Sequence, residues 1–88
     1  MRELEQSYKA LANRRRLEML KLLKRNNSAS VTAIAEKLEL SLKATSKHLA
    51  ILFNAGALER EQVGYSVLYR LADEPPAAIK AALELLPP

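Results

Sequence analysis

The segment SLKATSKHLAILFNAG, from Ser41 to Gly56, constrains the fold more than any other part of the chain. Ser41 is a good helix N-cap, and Gly56 can adopt the left-handed conformation that ends a helix. The sequence therefore predicts a helix of about four turns between these two residues. At about 100° per residue, the broad apolar arc of this helix contains Leu42, Ala44, Thr45, Leu49, Leu52 and Ala55, with Ile51 at its margin.

The opposite arc of the same helix is polar, small and cationic. It carries Lys43, Ser46, Lys47, Ala50 and Asn54, and the helix contains no carboxylate. Acidic side chains are common on solvated helix faces, so their absence favours a partner that would repel them, such as a phosphate backbone. The alternative is a face that is merely solvated.

Composition limits the classes of protein to which this helix can belong. The 88 residues are enough for one domain, so we expect residues 1–88 to form a single unit. A net charge of +4 and a pI near 9.6 are typical of a nucleic-acid-binding domain. The chain has no cysteine, which excludes disulfides and thiolate metal sites. It has no apolar run of about 18 residues and no signal-peptide pattern, so we expect a soluble, cytoplasmic protein without a membrane partner.

Two helices are predicted ahead of this segment, over residues 3–12 and from Arg14 to Arg25, the second capped by Asn13. The second begins with Arg14, Arg15 and Arg16, which cannot all share one helix face. One interpretation is a solvated helix start with one arginine in an internal ion pair. The other is contact between Arg14 or Arg15 and DNA phosphate.

A short helix from Ala33 to Leu40, capped by Thr32 or Ser30, comes directly before Ser41. Two short helices a few residues apart, the second basic on its outer side, form a helix-turn-helix pattern.

The residues after Gly56 have a β-hairpin pattern. The runs LEREQV and SVLYRL flank Gly64-Tyr65, which predicts a turn near Val63 to Ser66. A hairpin directly behind a helix-turn-helix is a wing, and Tyr65 at its tip can either stack on a sugar or cover the hairpin. The predicted fold is mainly α with a small β-hairpin, a winged helix-turn-helix in the order α-α-α-α-β-β-α.

The last helix, over about residues 76–86, is apolar on nearly opposite sides. One side contains Ile79, Leu83 and Leu86, and the other contains Ala78, Ala82 and Leu85. Such a helix is too apolar to stand alone in water, so we expect it to lie between its own domain and something else.

The segments LANRRRLEMLKLL and SVTAIAEKLELSLKATSKHLAILFNAGAL, with the hairpin ending in YRL, resemble the ArsR family of winged-helix bacterial repressors over about residues 8–72. The resemblance implies a homodimer joined through its first and last helices and bound to a palindromic operator. It implies a dimer surface made of Leu4, Tyr8, Leu11, Ile79, Ala82, Leu83 and Leu86. The cysteine pair of metal-sensing members corresponds to Ser30 and Thr32, which cannot bind a soft metal, so we expect no metal site and no cofactor.

The candidate DNA-binding residues lie on the predicted reading helix, the wing and the start of the second helix. They are Ser41, Leu42, Lys43, Ser46, Lys47, His48, Arg60, Tyr65, Arg14 and Arg15. Leu42 is a candidate for contact with a thymine methyl group, Thr45 is assigned to the core, and Arg60 is the cation nearest the wing tip. His48, the only histidine, has three candidate roles: packed structural residue, phosphate contact or ligand.

The function predicted from these features is sequence-specific binding of double-stranded DNA by a homodimeric transcriptional regulator that represses. The alternative is a winged-helix module that binds protein within a larger complex. The chain has no Gly-rich phosphate loop, no cysteine nucleophile and no paired carboxylates with a base, so we expect no enzyme activity. The sequence identifies neither an effector nor an operator.

Overall fold

A computed structural model describes all 88 residues as five helices and a three-stranded antiparallel sheet. The elements, in chain order, are α1 (Arg2–Leu11), α2 (Arg14–Arg25), β1 (Ala29–Ser30), α3 (Val31–Leu38), α4 (Leu42–Asn54), β2 (Leu58–Val63), β3 (Ser66–Leu71) and α5 (Ala77–Leu85). The winged helix-turn-helix prediction is confirmed, with the short strand β1 as an addition. None of these helices combines the length and the apolar character that crossing a membrane requires.

Polar side chains at the expected positions begin three of the helices. The side chain of Asn13 accepts from the Arg16 backbone N–H at 3.1 Å, and that of Ser41 accepts from Ala44 N–H at 3.0 Å. Ser30, not Thr32, is the cap of α3, because its hydroxyl accepts from Ala33 N–H. These bonds satisfy backbone donors that have no partner within the helix, which fixes where each helix begins.

Gly56 ends α4 in the left-handed conformation that the sequence predicts. Its φ is +82°, and the Cβ of any larger residue would stand 3.2 Å from Cδ of Pro76. The end of α4 and the start of α5 are therefore in close contact. Glycine meets both the backbone requirement and the spatial one.

The wing is formed by β2 and β3, which pair from Leu58↔Leu71 to Val63↔Ser66. The two residues between the strands are Gly64 and Tyr65, and only Gly64 has a positive φ, +62°. Glycine at the first central position is the signature of a type II′ hairpin turn, whose twist matches that of the strands. On the other side of β3, β1 pairs Ala29 with Tyr69, so the wing is hydrogen-bonded to the residues just ahead of α3.

The core draws on every helix and on the base of the wing. Its largest fully buried side chains include Met19, Leu20, Ile34, Leu49, Leu52 and Ile79. The assignment of Ile79 to the dimer surface is therefore wrong, because this side chain has no exposed surface in its own subunit. The side of α5 that carries Ile79 packs inward, as the half-buried Leu83 and Leu86 on the same core cluster also show.

The exposed apolar residues of α1 and α5 lie on two helices packed against each other. Leu4 is 44% exposed and Tyr8 59% exposed, whereas Leu85 on α5 is 85% exposed. Ala82 is half-buried, as is Leu11. The outward side of α5 is thus the side that carries Leu85, the last residue of the helix.

Candidate nucleic-acid interface

The outer face of α4 is exposed, cationic and free of ion pairs. Lys43, Ser46 and Lys47 are all exposed, and neither lysine lies within ion-pair distance of a carboxylate. No acidic residue occurs anywhere in α4. Thr45, assigned to the core from the sequence, is fully buried and donates from Oγ1 to the Ser41 carbonyl at 2.8 Å. The charges on the outer face are therefore available to an anionic partner.

Leu42 is not part of the core, although the helical arc grouped it with core residues. It is the first residue of α4 and is 55% exposed. The neighbouring elements therefore cover this side chain only in part. The exposure of Leu42 is compatible with its candidate role as an apolar contact to a thymine methyl group, next to the N-cap Ser41.

The wing presents an uncharged tip. Tyr65 is completely exposed and Val63 is 51% exposed, so the interpretation that Tyr65 covers the hairpin is wrong. The guanidinium carbon of Arg60 lies 4.0 Å from the centroid of the Phe53 ring at the end of α4. This cation–π contact directs Arg60 toward the reading helix and not toward the tip.

The three consecutive arginines of α2 have different environments. Arg14 and Arg15 are exposed, and both pair with Glu18, at 4.0 Å and 3.1 Å. Arg16 is half-buried and makes no ion pair. The interpretation that one arginine forms an internal ion pair is therefore wrong. The half-buried Arg16 donates to backbone carbonyls and to His48, and not to a carboxylate.

His48 projects from α4 toward α2. Nη1 of Arg16 lies 3.1 Å from its Nδ1, and since a guanidinium can only donate, Nδ1 is the acceptor and carries no proton. Burial lowers the pKa of His48 below its ordinary value of 6.5, and the charges of Arg16, Lys47 and Arg15 lower it further. His48 is therefore a neutral, hydrogen-bonded residue beside a cluster of cations.

The arrangement contains no group of three or more His, Cys, Asp or Glu side chains placed to hold a metal ion. The hydroxyl of Ser30 is occupied as the cap of α3.

Comparison with known proteins extends over most of the chain. Residues 13–59 match a family described as "Bacterial regulatory protein, arsR family". The chain is 40% identical over 78 residues to the transcriptional activator HlyU of Vibrio cholerae, which covers 89% of this chain and 68% of that protein. It is 35% identical over 74 residues to the arsenical resistance operon repressor of Bacillus subtilis, with coverage of 84% and 70%.

One similar solved structure is the solution NMR structure of a homodimeric winged helix-turn-helix DNA-binding domain from Mycobacterium bovis, a possible ArsR-family regulator. It has a TM-score of 0.80 and 31% identity, over 94% of this chain and 73% of that one. The segment that matches the family description contains all of α2, α3 and α4.

Proposed function

This chain belongs to the ArsR family of bacterial regulatory proteins, and from that premise we propose that it is a homodimeric repressor that binds a palindromic operator. A transcriptional regulator with a DNA-binding winged helix-turn-helix is what the family establishes. The observation that carries the proposal is the exposed face of α4, where Lys43 and Lys47 have no ion-pair partner and no carboxylate is present.

In the proposed complex, α4 lies in the major groove with its N-terminal residues toward the base edges. Lys43, Ser46 and Lys47 form the reading and backbone-contacting face. Leu42 offers an apolar surface to a thymine methyl group. Ser41 combines its capping role with a hydrogen bond to phosphate.

Other cations flank this helix. In this proposal Arg14 and Arg15 contact phosphate. Their surface ion pairs with Glu18 do not oppose this, since such pairs contribute little. Arg60 reaches the duplex from the base of the wing, and Tyr65 is free to stack on a sugar. His48 does not contact DNA in this proposal; it accepts a hydrogen bond from Arg16 on the inner side of the reading helix.

The dimer surface in this proposal joins α1 and α5 of each subunit, so residues 1–88 form one winged-helix domain with dimerisation helices at both ends. Leu4, Tyr8, Ala82 and Leu85 form its exposed part, and Leu85 takes the place assigned to Ile79. Leu11, Leu83 and Leu86 line its inner edge. The similar structure from Mycobacterium bovis is described as homodimeric, which supports this assembly.

Repression by occupancy is the mode of action that needs the fewest parts, since a dimer on its operator excludes other proteins from that DNA. One similar protein is named an activator and another a repressor, so the shared domain alone does not fix the sign of regulation. We include no metal sensor in the proposal, because hydroxyl side chains occupy the positions that correspond to the family's cysteine pair.

Substitution of the two lysines tests the proposal. Lys43→Ala with Lys47→Ala removes two exposed charges from α4, and Lys37→Ala with Lys80→Ala removes two exposed charges elsewhere. Binding to a random duplex of about 30 base pairs, long enough for two half-sites, is measured by sedimentation at several salt concentrations. The first variant is expected to bind more weakly, with a salt slope flatter by about one unit per lost phosphate contact. The control pair should keep the wild-type slope.

An unchanged slope in Lys43→Ala with Lys47→Ala would remove both lysines from the DNA backbone. A wild-type protein that ignores the duplex even at low salt would contradict DNA binding altogether and favour the protein-binding module.

A further inference from the structure

One guanidinium joins the dimerisation helix to the reading helix. Nε of Arg16 donates to the Ala10 carbonyl at 2.7 Å, and Nη2 donates to the Lys9 carbonyl at 3.0 Å. Both acceptors lie in the last turn of α1. Nη1 donates to Nδ1 of His48, in the middle of α4, at 3.1 Å.

A second polar bridge joins the same two helices farther along. Nε2 of Gln6 on α1 donates to the carbonyl of Asn54, the last residue of α4, at 3.1 Å. Hydrogen bonds at two positions along α4 constrain its angle to α1, whereas a bond at one position constrains only their separation at that point. The Arg16 bridge is half-buried and the Gln6 bridge is exposed, so Arg16 is the stronger of the two constraints.

We propose that Arg16 is a positioning residue for DNA recognition: its bridge between the end of α1 and His48 sets the angle of the reading helix relative to the dimer interface. This proposal rests on the proposed function, because the angle matters only if two reading helices must meet two half-sites at once. An operator fixes the spacing and orientation of its half-sites. A tilted pair of helices therefore loses affinity for the operator while it keeps its charge-based affinity for random DNA.

The bridge requires an arginine. The planar guanidinium presents five N–H donors in a fixed fork and can reach three acceptors on different helices at once. A lysine carries the same charge as a single point and cannot span the same three atoms. Arg25, at the end of the same helix, bonds only to the Pro88 carbonyl and is not among the proposed DNA contacts, so it provides a matched control of equal charge.

The bridge also requires a hydrogen-bond acceptor at position 48, which histidine provides only when Nδ1 carries no proton. The groups that face His48 are Arg16 and Arg15 from α2, Lys47 from its own helix, and from α1 only the neighbouring backbone carbonyls bound to Arg16. Every charged group in this set is a cation, which keeps the proton off Nδ1. In a His48→Gln variant the amide oxygen could still accept from Arg16, but the side chain could not titrate.

The test compares Arg16→Lys, His48→Gln and the control Arg25→Lys with the wild type. Each is bound to a random duplex of about 30 base pairs, the length of two half-sites, and to a duplex selected from a random pool by the wild-type protein. The ratio of the two affinities measures specificity. Thermal melts establish the folded fraction of each variant, and affinities are expressed per folded dimer.

Arg16→Lys is expected to lower the ratio about tenfold, the effect of losing one charge-assisted hydrogen bond, with little change for the random duplex. Arg25→Lys and His48→Gln should keep the wild-type ratio at neutral pH. Because His48 is the only histidine, its ring nitrogens give one set of NMR signals. These are expected to show the Nε2–H tautomer in the wild type and a larger share of the Nδ1–H tautomer in Arg16→Lys.

Equal ratios for Arg16→Lys and Arg25→Lys would overturn the role of Arg16 while leaving DNA binding intact. An unchanged His48 tautomer in Arg16→Lys would overturn it as well. Failure of the wild type to bind either duplex would overturn the proposed function and the positioning role together.

Discussion

The two sides of α5 respond differently to truncation, and the pair Ile79→Ala and Leu85→Ala separates their roles. Ile79 has no exposed surface in the subunit, whereas Leu85 is 85% exposed. Truncation of a buried isoleucine to alanine costs about 2–5 kcal/mol, because the cavity closes only in part. Truncation of Leu85 should cost the isolated subunit no more than about 0.5 kcal/mol.

In the proposed dimer, Leu85→Ala is the substitution with the larger effect. Leu→Ala removes apolar surface worth about 2 kcal/mol when it is buried against a partner, and a two-fold interface contains the residue twice. Leu85→Ala should therefore weaken dimerisation by about 4 kcal/mol, roughly a thousandfold in the dissociation constant.

Urea denaturation followed by circular dichroism gives the free energy of unfolding at several protein concentrations, and sedimentation of a dilution series gives the dimer constant. Ile79→Ala should lower the free energy of unfolding by the same amount at every protein concentration. Leu85→Ala should lower it only at concentrations where the wild type is dimeric. The assignment of the two faces is refuted if Leu85→Ala has the wild-type dimer constant. It is also refuted if Ile79→Ala has the wild-type free energy of unfolding.

Three further predictions concern single residues. Gly64→Ala should lower the free energy of unfolding, measured in urea, by about 1 kcal/mol. The cause is backbone strain at φ +62°, since no atom lies within 4 Å of the new Cβ. A larger decrease would indicate a steric clash. Ser41→Ala should cost about 1 kcal/mol by removing the cap of α4, and Ser41→Asp should restore it; equal stability of the two variants would contradict the capping role. The lowered pKa of His48 means that the unfolded chain takes up the proton first, so this contribution to stability is complete above pH 6.5 and is lost as pH falls below it. The urea midpoint should decrease over that range, and His48→Gln should abolish this part of the decrease.

Local signals in the sequence were enough to place the reading helix and the wing. Ser41 and Gly56 act through hydrogen bonds and backbone conformation within a few residues of themselves, so their positions predict the bounds of α4 correctly. The same holds for Gly64, whose turn sets the register of both strands. The strand β1 escaped prediction because its two residues are extended only through pairing with β3, far along the chain.

Choices between similar faces or similar neighbours needed the structure. The periodicity of α5 is apolar on both sides, and nothing in it decides that Ile79 packs inward and Leu85 outward. The three arginines of α2 differ in partner because the carbonyls of α1 and the ring of His48 come from other helices. The signal that could have found the bridge is the co-occurrence of Arg16 and a lone histidine on the inner margin of α4.

The two glycines also indicate where this chain is free to change during evolution. Gly56 is enclosed by Pro76, so an inserted or enlarged residue there would separate the reading helix from α5. Gly64 stands in open space at the end of a hairpin whose base is secured by β1. Insertions are best tolerated at exposed loop tips, so descendants of this sequence can acquire a longer wing without rebuilding the domain that carries it.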